Sequence, residues 1–218
     1  MLYDLTAAIS LLIIVPAMVG WIRYKAIDQA YRPFIYLLSI GFINEVISLY
    51  CIMRYGTNAP NYNIFMLLEM QLILWQLKNW DRRKKNKLFY NSVAVAFLLL
   101  WLGEGVWRGS LSRFFSVFII THSIGIALLS LFIIGKSFFY FPKRILKDTV
   151  FLVCFGFVIF YIFMAVLEVF WIFGYAHNPN LMWWVTVTLS GINFFTNFLY
   201  CFSVLCIPKS RQFIFPQG

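Results

Sequence analysis

The sequence predicts an all-α membrane protein: a bundle of seven transmembrane helices, N-terminus outside and C-terminus cytoplasmic. Hydrophobic residues fill 62% of the 218 positions and charged residues only 12%, with a mean hydropathy of +0.80. So few charges cannot cover the apolar surface of a soluble chain this long. The apolar residues gather into seven runs of the length that crosses roughly 30 Å of hydrocarbon as helix. Basic residues crowd the connections on one side of those runs.

The runs lie at about 4–22, 33–53, 62–78, 88–107, 112–135, 149–174 and 181–207. They are continuous rather than alternating, and too long for tilted barrel strands of about ten residues. In the first, MLYDLTAAISLLIIVPAMVGWIRYK, the positive charges follow the apolar stretch, so it is expected to stay as a helix and not to be cleaved as a leader. The third is interrupted by Glu69, and the fourth has Asn91 and Ser92 near its start and Glu104 near its end. Trp21, Trp80, Trp107, Trp171, Trp183 and Trp184 cluster near run ends, as interfacial anchors do. Connections are short and no Ser/Gly/Pro-rich linker interrupts them, so residues 1–218 are expected to form one transmembrane domain. Cys51, Cys154, Cys201 and Cys206 fall within or at the ends of runs without a redox or zinc spacing, and no disulfide is expected.

Orientation follows from the basic residues. Arg23, Lys25 and Arg32 lie in the first connection, Lys78, Arg82, Arg83, Lys84, Lys85 and Lys87 in the third, Lys136, Lys143, Arg144 and Lys147 in the fifth, and Lys209 and Arg211 in the tail. The other side holds Arg54, Arg108 and Arg113. The net charge of +10 therefore reads as topology and as contact with anionic lipid at the cytoplasmic loops, not as a nucleic-acid surface.

Against this background the stretch SIGFINEVISLY places Asn44 and Glu45 inside an apolar run. Counting along the helices puts Glu45, Glu69, His122 and Asn193 near mid-membrane, with Glu168 and Glu104 nearer the outer surface. Residues three, four or seven apart share a face. Gly41, Glu45 and Ser48 form one stripe; Tyr62, Glu69 and Gln76 a second; Tyr161, Glu168 and Tyr175 a third; Thr186, Ser190, Asn193, Asn197 and Tyr200 a fourth. An ionisable group at the bilayer centre costs roughly 2.5–3.5 kcal/mol unless paired, hydrated or neutral. These stripes are expected to face one another, making Glu45, Glu69, His122, Glu168, Asn44, Asn193 and Asn197 the candidate ligand- or ion-binding residues. The same groups also suit interhelical hydrogen bonds, worth about 0.6–2 kcal/mol each.

Most named chemistries lack their parts. A retinal protein needs a buried lysine in the last helix, whereas Lys209 follows the run. Membrane hydrolases of the ceramidase type use three zinc histidines, and the chain has only His122 and His177. Zinc on His122 with Glu45 and Glu69 is conceivable from ligand type alone. Haem between His122 and His177 would join a mid-membrane residue to a loop. The sequence TLSG around Ser190 lacks the first glycine of a rhomboid GxSG motif, leaving a Ser190–His122 dyad as the remaining hydrolase arrangement. No cofactor and no resident metal is expected.

RYKAIDQAYRPFIYLLSIGFINEVISLY, NYNIFMLLEMQLILWQLKNW and INFFTNFLYCFSVL together resemble a group of small seven-span membrane proteins of Bacteroidota bacteria, over nearly the whole chain. The resemblance implies a bacterial inner-membrane protein and brings no catalytic residues with it. Three functions fit this reading. One is a sensor or transport-like component binding a small ligand, cation or proton and working with a separate cytoplasmic or membrane partner. The second is a membrane-embedded hydrolase using the acids with His122, or Ser190 with His122. The third is a pore-forming or membrane-perturbing accessory of a defence system, which would act as a homo-oligomer.

Overall fold

The computed structural model describes residues 2–81, 86–140, 147–174 and 178–208. Arg82, Arg83, Lys84, Lys85, Lys143, Arg144, Tyr175, His177, Lys209 and Arg211 lie outside the described residues. Within them the chain is helical and contains no strand.

The first helix is α1, Leu2–Ser10, continued through a 3-10 turn at Leu11–Ile13 into α2, Ile14–Arg23. The tighter turn falls just before Pro16, which has no N–H to give the carbonyl of Leu12 and whose ring crowds that turn. The later helices are α3 (Arg32–Tyr55), α4 (Ala59–Trp80), α5 (Asn86–Arg108), α6 (Ser116–Tyr140), α7 (Thr149–Ile172) and α8 (Pro179–Cys206). Their ends follow the local sequence. Gly56 adopts φ 73°, the left-handed cap that stops α3. Asp148 accepts the N–H of Val150 to open α7, and Asn178 accepts those of Asn180 and Leu181 to open α8. The guanidinium of Arg23 closes the far end of α8 by donating to the carbonyls of Val204 and, at 3.1 Å, Ile207.

With α1 and α2 taken together, the described residues form seven helices, six of them long and apolar enough to cross a membrane. The exception is α4, whose run contains Asn61, Asn63, Glu69, Gln71 and Gln76. Its polar groups turn to neighbouring helices: Gln76 accepts the N–H of Phe34 at 2.8 Å and donates to the carbonyl of Ala30 at 2.7 Å. Hydropathy is low here because the faces of α4 that meet its neighbours carry polar groups, while Ile64, Leu68 and Trp75 remain exposed.

Packing runs in a closed ring: α3 on α4, α4 on α6, α6 on α7, α7 on α8, α8 on α1 and α2, and α2 on α3, while α5 packs outside against α4 and α6. Large apolar side chains cover the outside, among them Val46, Leu99, Leu128, Val166, Phe198 and Leu205. In water such a surface would aggregate; in lipid it is solvated. These are the features of a multi-pass membrane protein.

Candidate functional site

The ring encloses a cavity of about 300 Å³. It is lined from α1 by Thr6, Ala7 and Ser10, from α3 by Gly41, Asn44, Glu45, Ser48 and Ile52, from α4 by Tyr62, Phe65 and Glu69, from α7 by Phe157, Phe160 and Tyr161, and from α8 by Asn193, Thr196, Asn197 and Tyr200. The lining reaches Asn58, beside the α3–α4 connection.

Helical spacing accounts for who arrives there. Gly41, Glu45 and Ser48 share a face of α3, and the absent side chain at Gly41 leaves room for Ile13, whose Cδ1 lies 2.7 Å from where a Cβ would stand. Asn193, Asn197 and Tyr200 do the same on α8, and Tyr62 and Glu69 are two turns apart on α4.

The two acids have separate neighbours. Glu45 lies beside Ser10, whose hydroxyl donates to the carbonyl of Ala7 at 3.0 Å, and Glu69 lies beside the phenol of Tyr161. The carboxyls are near enough to interact electrostatically. His122 does not bridge them. Asn44 is braced instead by Asn61, whose amide donates to Asn44 Oδ1 at 2.9 Å and to Ser48 Oγ at 3.0 Å, tying α3 to the first turn of α4. On α8, Asn197 donates to the carbonyl of Ile9 at 3.5 Å, whereas the Asn193 carboxamide has no hydrogen bond among the described residues.

Two of the expected residues do not reach the cavity. His122 is fully buried on the far side of Tyr161, stacked on Phe118 at 5.6 Å and edge-on to Phe97 and Tyr161, and neither ring nitrogen has a hydrogen-bond partner. His122 sits in the first third of α6, nearer its start than the centre the sequence suggested, and its ring is turned to Phe97, Phe118 and Tyr161 and not to the cavity. Glu168 pairs with Ser116 at the start of α6. Beside it Glu104 accepts the N–H groups of Phe118 at 2.7 Å and Val117 at 3.3 Å and the Nε of Arg108 at 2.8 Å. These outer carboxyls cap the N-terminus of α6.

This geometry removes two of the sequence's options. Ser190 bonds Thr6 Oγ1 at 3.0 Å and donates to the carbonyl of Thr186 at 2.9 Å, so no Ser190–His122 dyad is assembled. Among the described residues no three His, Cys, Asp or Glu side chains are placed to hold a metal ion, so His122, Glu45 and Glu69 do not form a zinc set. The sequence did not single out Ser10 or Tyr161 as neighbours of the acids, nor Asn61 as the brace of Asn44 and Ser48. Only Tyr161 left a signal, one turn-pair away from Glu168 in the stripe on α7.

Compared with family models, curated proteins and solved structures, the chain has no match in any of the three.

Proposed function

We propose that the protein is a seven-span, ligand-binding component of a bacterial inner membrane, a sensor or transport-like element that works with a separate partner. The observation that supports this reading is the cavity itself, where Asn44, Glu45, Glu69, Asn193 and Asn197 from three helices line one space. Acids are costly to keep at this depth as glue alone. The seventh crossing is α4, shielded from lipid on the flanks that meet α3, α5 and α6.

The excess of Lys and Arg in alternate connections supports an external N-terminus and a cytoplasmic C-terminus. In that orientation Thr6, Ile52 and Asn58 lie toward the outer face, so the cavity faces outward and the basic loops are available to anionic lipid and to the partner.

Glu45→Gln and Glu69→Gln test the reading, because a neutral amide keeps hydrogen-bonding capacity while removing the acid. Each variant is expected to insert and to unfold within about 1 kcal/mol of wild type, yet to lose ligand response, proton flux or signalling. A double Gln variant with full activity would reduce the acids to helix glue.

A further inference from the structure

Among the described residues the cavity is lined by two carboxyl groups and by no lysine, arginine or histidine, and the groups beside each acid are neutral hydroxyls, of Ser10 and of Tyr161. Ionising either carboxyl in this low-dielectric space is costly without a counter-charge, and a positive guest supplies one.

The walls indicate what kind of cation. About 300 Å³ is far more than a dehydrated metal ion fills and lies at the small end of organic-ligand sites. Much of the lining is aromatic or aliphatic; Phe65 and Phe160 offer ring surface that can face a cation or pack an apolar body. A third polar contact is available from the unpaired carboxamide of Asn193.

Resting on the reading of this cavity as a ligand site, we propose that its occupant is a small organic ammonium ion, the nitrogen held between Glu45 and Glu69 and the apolar body against the aromatic wall. Inorganic cations lack the body to fill the space, and carboxylate or phosphate ligands would meet two acids with no base.

The test uses three probes of nearly one shape and different charge on the purified full chain: phenethylammonium, phenethyl alcohol and hydrocinnamate. Binding is read by equilibrium titration and by the shift in thermal unfolding followed through tryptophan fluorescence. Phenethylammonium is expected to bind and to raise the unfolding temperature, the other two to do neither at the same concentration. Glu45→Gln and Glu69→Gln should each weaken its binding at least tenfold. Asn193→Lys supplies a tethered ammonium at the cavity wall; it should fold and no longer respond to the probe. Equal binding of the alcohol, or preference for hydrocinnamate, would overturn the ammonium assignment and leave the cavity a ligand site. Binding of none of the three would overturn both.

Discussion

Tyr161 stands between Glu69 and His122: its phenol lies beside the carboxyl, and its ring meets the imidazole edge-on at 5.2 Å between centroids. One side chain thus presents a hydroxyl to the cavity acid and a ring to the aromatic compartment around His122.

Tyr161→Phe separates these roles. The ring contacts survive and the hydroxyl beside Glu69 is lost, so the variant should fold, unfold at about 0.5–1.5 kcal/mol lower stability, and bind phenethylammonium with altered affinity. Tyr161→Ala also removes the ring, and should cost about 3–5 kcal/mol. Unfolding of both variants in detergent against wild type checks the ranking; equal losses would show that the ring contributes nothing beyond the hydroxyl.

At the outer end, Glu104 joins α5 to α6 by accepting from Phe118, Val117 and, on its own helix, Arg108. Glu104→Ala leaves two backbone donors of α6 and one guanidinium without their acceptor, and should destabilise by about 1–3 kcal/mol. Arg108 is partly exposed, with 26% of its side chain accessible, so Arg108→Ala should cost less. A double-mutant cycle measures the coupling, and a larger loss for Arg108→Ala would contradict the capping role.

Gly156 on α7 faces Tyr200 on α8 so closely that an added Cβ would stand 2.6 Å from the ring atom Cε1. That ring is hemmed in by Phe34 and Phe157, at 5.5 and 6.0 Å. Gly156→Ala should therefore lower stability by about 1–3 kcal/mol and push Tyr200 toward the cavity, weakening probe binding as well. Gly191, with open space around its Cβ position, is the control: Gly191→Ala should do neither.

The helices were legible because run length and continuity are local properties; the expected 33–53 and 88–107 fall inside Arg32–Tyr55 and Asn86–Arg108. Polar faces were legible for the same reason, and Glu45, Glu69, Asn193 and Asn197 line the cavity as their spacing implied. The order of helices around the ring was not. Without it, nothing local distinguishes a polar face turned to the centre from one turned to α5, and that is why His122 was expected in the cavity and lies in the aromatic compartment instead. Ser10 was invisible as the neighbour of Glu45, since a serine in an apolar run carries no sign of a contact thirty-odd residues away. Glu104 read as one more outer carboxyl because its acceptors' partners belong to the next helix, across a turn the sequence does not shape by itself.

The most direct measurement asks whether the cavity opens to the outside. In a background lacking Cys51, Cys154, Cys201 and Cys206, a cysteine is placed by Asn193→Cys, and a second protein carries Lys85→Cys as the cytoplasmic control. Intact cells are exposed to a membrane-impermeant thiol reagent and modification is read by mass. The account predicts that Asn193→Cys is modified from outside, that phenethylammonium slows the reaction, and that Lys85→Cys reacts only after the cells are opened. Modification of Lys85→Cys in intact cells, or an Asn193→Cys that reacts only from the cytoplasmic side, would contradict it.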